Sequence, residues 1–291
     1  MDSFLLKYEG GDADQHVIDA VQYGNSLYGT GRLYISVTHF CVHGEVLKPS
    51  QRTDIKCYAS EGHAGCFETG IIVAASVAQM PLFADVYKPW IDWLTGKITE
   101  YIKDRLTGRG SMDKLVDAIA EQAKSNNELN HILVNGLLAS NSDMADVTKV
   151  LVAKLPDLVD ANTRNMKRVV APIGRSCIEM KHFANTDNEF KISEPEADAI
   201  RSKADLEVDD MKDYKCDLIS ELNTKTGHCH LHLEGEERHI IGKINDPALQ
   251  APNNIYSKSL NAQSGFSLTA KAVLKEGLIH RLYVSDARDA Q

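Results

Sequence analysis

The sequence reads as an α+β chain: a small N-terminal sheet packed by helices, a helical insert, and a C-terminal five-stranded β-barrel of OB-like order. Three observations lead there. Short β-rich runs flank a long segment of helical apolar spacing near the N-terminus. A series of cappable amphipathic segments follows. From residue 205 on, period-two runs come as three strands, a helical link and two strands, which is the OB order. The expected boundaries are 1–108 for an α/β domain, 109–171 for a helical region, 172–204 for a linking α/β segment and 205–291 for the barrel.

Taken in order, Ser3 to Glu9 is a first strand, and the following Gly-Gly turn places Asp12 or Asp14 to cap a helix. From Gln15 to His43 the apolar residues recur at helical spacing. Gly24, Gly29 and Gly31 weaken that helix, and glycines so placed often let another backbone pack closely. Asp54 to Ser60 and Cys66 to Ala75 form a hairpin. The window Gly70 to Ala84 is the most apolar of the chain, but it falls short of the roughly 20 residues a spanning helix needs and contains Pro81. It is expected to be a buried strand leading into a buried helix, with a membrane-touching hairpin ending near Trp90 and Trp93 as the alternative.

Pro89 to Leu106 is helical. Ser111, Asn126 or Asn127, and Ser142 can each cap a short amphipathic helix, and Asp157 to Val170 is a further one. Ser176 to Phe183 and Glu189 to Ser193 are strands, and a helix opens near Pro195. The barrel strands are Met211–Leu222, His228–Glu234, Arg238–Asn245, Phe266–Leu274 and Leu278–Ser285, with a helix opening at Asn254.

Composition narrows the function classes. The formal net charge is −9 from 32 basic and 41 acidic residues. No segment is net basic, and the barrel region carries 10 basic and 14 acidic residues, so a broad phosphate-binding footprint is absent. Six scattered cysteines without a CxxC suit free thiols in a reducing cytoplasm. The start MDSFLLKYEGGDAD has no basic-then-apolar run, so no signal peptide is expected.

Some residues could carry chemistry. His228, His230 and His232 alternate along one strand in HCHLH, so all three imidazoles share a face and could hold a metal. The plainer reading, which the residues favour, is a polar outer face with Cys229, Leu231 and Leu233 in the core. Arg164, Lys167 and Arg168 share one helix face and could contact phosphate, or simply be solvated. Asp12, Asp14 and His16 could form an acid–base cluster, or a turn and cap. Cys177 follows Arg175, which could lower its thiol pKa, or it is a buried free cysteine on a strand. There is no GxSxG, Walker A loop, dinucleotide fingerprint or HExxH, so no catalytic residue is assigned and no cofactor is implied.

The stretches FLLKYEGGDAD with His43-Gly44-Glu45, GKINDPALQAPNNIYSKSL, and AKAVLKEGLIHRLYVSDA resemble an uncharacterised bacterial and prophage family. The resemblance implies an α/β N-terminal domain before a small β-barrel, and an accessory role such as excluding competing phages. It carries no catalytic residues. The leading expectation is a non-enzymatic accessory protein that binds a protein partner, as a cytoplasmic homo-oligomer. The alternatives are single-stranded nucleic-acid binding through the barrel and the Arg164–Arg168 helix, which the charge disfavours, and a metal-dependent enzyme built on the histidine strand. Membrane action is not expected.

Overall fold

The computed structural model describes residues 4–48, 51–61, 67–74, 88–125 and 144–289. It is an α+β chain of two compact units, residues 1–105 with 109–201, and residues 106–108 with 202–291. The helical region and the linking segment thus lie in the same unit as the N-terminal sheet.

In the first unit, strands β1 (Phe4–Glu9), β2 (Lys56–Glu61), β3 (Phe67–Ala74), β4 (Glu179–His182) and β5 (Phe190–Ser193) form an antiparallel sheet of order β2-β3-β1-β4-β5. The central strand alternates as its sequence requires, burying Phe4, Leu6 and Tyr8 on one face. Helix α1 (Ala20–His43) covers that face. Tyr8 and Ser26 hydroxyls meet at 3.0 Å, and the Phe4 and Tyr34 rings stack at 4.5 Å.

Helices α2 (Lys88–Leu106), α3 (Met112–Ser125), α4 (Met144–Val169) and α5 (Glu194–Arg201) complete the unit. A methyl on Gly29 would lie 2.7 Å from Asn165 O and Val169 N, so this glycine lets α1 and α4 touch backbone to backbone. Ser26 Oγ donates to Val169 O at 2.6 Å across the same contact.

Three expectations are corrected. Asp12 and Asp14 do not cap α1. They sit in a short 3-10 turn, Gly11–Gln15, where Asp14 accepts the Gly10 N–H at 2.8 Å. The cap is Asp19, which accepts from Gln22 N at 2.8 Å. The separate helices expected on either side of Pro156 are one helix, α4. Proline removes one intrahelical hydrogen bond, but Leu155, Leu158, Val159, Asn162 and Met166 are all buried along α4, and that packing outweighs the loss. The strand expected from Ser176 begins at Glu179. The helix expected after Asn126 or Asn127, and Gly70 to Ala84 beyond Ala74, lie outside the described residues.

The second unit is a closed barrel of β6 (Glu207–Leu222), β7 (His228–Leu233), β8 (Ile240–Ile244), β9 (Phe266–Lys275) and β10 (Leu278–Asp289), ordered β10-β8-β7-β6-β9. The β8–β10 pair is parallel and the others antiparallel. This is the OB order, with α6 (Ile255–Ala262) between the third and fourth strands. Asn254 caps α6 by accepting from Ser257 N at 2.9 Å. Tyr256 and Leu249 close the core formed by Ile219, Leu231, Ile240, Phe266, Leu268 and Leu282. Gly227 joins β6 to β7 at φ +77, with Ile244 O only 2.3 Å from where a Cβ would stand, so no side chain fits there.

Candidate functional site

The barrel histidines stand as strand alternation requires. Cys229, Leu231 and Leu233 are buried in the core, while His228, His230 and His232 lie on the outer side. His230 and His232 both face the ring of His239, at 4.5 and 6.2 Å between centroids, while their nitrogens and those of His228 take different hydrogen-bond partners. His228 Nδ1 meets Thr226 Oγ1 at 3.1 Å, and His232 Nε2 meets Ser220 Oγ at 3.2 Å. His230 Nδ1 lies 3.3 Å from Glu221 and its ring stacks on His239 at 4.5 Å. A shared face does not bring the three imidazoles to a shared point. Among the described residues no group of three or more His, Cys, Asp or Glu could hold a metal ion.

Arg164, Lys167 and Arg168 share one face of a single helix, α4, as expected, with Arg164 and Arg168 exposed and Lys167 half-buried. The Arg168 guanidinium sits 4.6 Å over the ring of Tyr28 on α1, a cation–π contact rather than an open phosphate site. Tyr28 is 54% exposed, and Val21, seven residues earlier on the same helix face, is 68% exposed. Gly24 stands between them with nothing within 4 Å of its Cβ position. Val17, just before the helix, is also exposed. The result is an uncovered stripe on α1, Val21, Gly24 and Tyr28, with Arg168 of α4 over Tyr28 at one end. Sequence reading took Val17 and Val21 as part of the helix's apolar periodicity, because spacing alone cannot say which side of a helix is left uncovered.

A second feature was missed as well. His39 and His43, one turn apart near the end of α1, pair their rings at 4.4 Å beside a cleft of about 590 Å³ that Glu45, Gln51, Arg52, Thr53 and Asp54 also line. The i, i+4 spacing was the available signal. Burial holds the His39 pKa below its ordinary value, with neighbouring His43 adding to the effect.

Among the described residues, burial raises the pKa values of the cysteine thiols. Burial pushes Cys177 up to about 12, and it forms an isolated bridge with Ile173 rather than lying on a strand. Cys41, Cys57, Cys216 and Cys229 are likewise free, and burial raises each to about 12. Among the described residues no helix is long and apolar enough to cross a membrane, and Trp90 is buried in the fold.

A family model described as a domain of unknown function (DUF7946) matches residues 4–201. The chain belongs to the DUF7946 family. A second model, described as a family of unknown function (DUF7947), matches residues 215–288 of this DUF7946 chain, which is the barrel. No curated protein and no solved structure matches the chain.

Proposed function

We propose that this protein acts by binding a protein partner, and that the partner docks on the α1 stripe of Val21, Gly24 and Tyr28, where Arg168 lies over Tyr28. The observation that carries this reading is the Arg168–Tyr28 pair, held at 4.6 Å beside an uncovered valine on a rigid two-helix platform. Tyrosine and arginine are enriched where protein interfaces concentrate their binding energy. The pair fixes both side chains before binding, which reduces the entropy lost on docking. Arg168 selects a partner segment that sets acidic side chains beside apolar ones, since matched charges steer encounter and fix register.

In this reading the chain is a cytoplasmic, prophage-type accessory protein whose partner appears during phage infection, and the same stripe can seat a second copy of the chain. Sedimentation of the purified protein, alone and with the partner recovered from infected cells, tests it. Wild type forms a stoichiometric complex, and Val21→Asp and Arg168→Glu each weaken it at least about tenfold, the range of a hot-spot residue. Equal binding by both variants would sink the reading.

Single-stranded nucleic acid remains a second reading because of one feature of the barrel. Strands β7, β8 and β9 contain no acidic residue, and six of the barrel's acids lie on β6, at Glu207, Asp209, Asp210, Asp213, Asp217 and Glu221. Fluorescence anisotropy with a labelled oligothymidine at low salt decides it, since phosphate-driven binding weakens steeply as salt rises.

A further inference from the structure

The glycines of α1 divide by what stands in front of them. Gly29 meets the backbone of α4 and Gly31 faces the Cys57 side chain at 3.6 Å, so each has a neighbour within the fold. Gly24 is interior to the helix and has nothing within 4 Å of its Cβ position. Glycine is unfavourable in a helix interior, and what it offers in return is close approach of another backbone. Among the described residues nothing makes that approach. Large exposed side chains flank the glycine, Val21 one turn before it and Tyr28 one turn after. The two ends of this stripe differ in charge. Exposed Asp12, Asp14 and Asp19 stand at the start of α1. At the other end Arg168 lies over Tyr28, and Arg32 follows Tyr28 one turn on along the same face.

We propose that α1 pairs with α1 of a second copy of this chain, antiparallel about a twofold axis between Gly24 and Asn25. The stripe is self-complementary in that register, as a twofold interface requires. Positions 21 and 28 are equally far from the axis, so Val21 of each copy packs against Tyr28 of the other. Gly24 lies at the crossing, where its missing side chain lets the helix axes draw together. The same turn sets Arg168 and Arg32 of each copy against the acidic helix start of the other. Opposed charges so placed fix register and steer encounter, and antiparallel helices bring opposite dipole ends together. The inference rests on the same surface as the docking reading and adds its regulation: a partner reaches Val21 and Tyr28 only by displacing the second copy. One helix against one helix is a small interface, so the dimer dissociates at about micromolar concentration and stays displaceable.

Sedimentation velocity of the full-length protein alone, from about 1 to 200 µM, tests this. Wild type passes from monomer to dimer over that range. Gly24→Leu adds a side chain that meets open space within the chain and favours the helix, so it stays folded by circular dichroism, yet it weakens dimerisation at least about tenfold. Under mild oxidation Asn25→Cys gives a disulfide-linked dimer beyond the wild-type background, and Tyr58→Cys does not. A monomer throughout the range, a dimer indifferent to Gly24→Leu, or equal cross-linking from positions 25 and 58 would each overturn the pairing. The two readings fail separately. A monomer that still binds the partner recovered from infected cells overturns the pairing and leaves the docking reading standing. A dimer with the expected variant behaviour that the partner does not dissociate supports the pairing and removes the docking reading.

Discussion

His182 is fully buried on β4, its ring among Phe190, Phe4 and Phe183 at 5.1, 6.0 and 6.0 Å. Neither ring nitrogen has a hydrogen-bond partner among the described residues, and burial lowers its pKa from 6.5 to about 3. The folded chain therefore refuses a proton that the unfolded chain accepts. The stability from this group is whole above pH 6.5 and falls as pH drops toward 3, by at most about 1.4 kcal/mol per unit. Urea unfolding at pH 7.5 and pH 5 should show wild type losing about 2 kcal/mol more than His182→Phe; equal losses would mean that the ring is solvated or paired. The glycines of α1 give a second test at this scale. Gly29→Ala should cost about 1–3 kcal/mol because its methyl meets α4 backbone. Gly24→Ala meets nothing and should gain up to about 1 kcal/mol of helix propensity. Thermal melts of the two variants should shift in opposite directions.

Among the elements, the barrel strands were the most legible in the sequence and α4 among the least. Strand alternation fixes which side chains enter a core, so HCHLHL alone assigned Cys229, Leu231 and Leu233 inward. Leu231→Ala should cost about 2–5 kcal/mol while His230→Ala costs little, as measured by urea denaturation. Helix α4 was misread because a proline is a local signal, whereas helix continuity depends on the buried face. Pro156 is exposed and in the helix interior, so Pro156→Ala should raise the melting temperature by restoring an N–H where one is missing. A lower melting temperature would show that Pro156 stabilises α4. The capping residues divide the same way. Asn254 was legible because it stands directly before the first apolar residues of the helix, Ile255 and Tyr256. Asp12, Asp14 and Asp19 all precede α1, and only the geometry of the intervening 3-10 turn chooses Asp19.

At the scale of the molecule, the barrel and its strand order were readable because antiparallel pairing follows short connections, and a closed OB barrel is what that order builds. Surfaces were not readable, because covering is a long-range property. Arg164, Lys167 and Arg168 were seen as a basic face, but the ring that Arg168 covers comes from Tyr28, far away in sequence. The histidine row is legible on β7, but that His230 and His232 share the ring of His239, just before β8, while their nitrogens take different hydrogen-bond partners, is a tertiary fact. His39 and His43 were not legible as a pair with a role, because two histidines one helical turn apart recur on many helix faces and only the fold places a cleft beside them. The central claim is that the α1 stripe is where a protein partner docks. Site-specific photocrosslinking during phage infection addresses it most directly, with the crosslinker at position 21 and, as control, at Tyr58 on edge strand β2, which is also an exposed large hydrophobic. The account predicts one discrete adduct from position 21, lost in Arg168→Glu, and none from position 58. Adducts from both positions alike, or from neither, would contradict it.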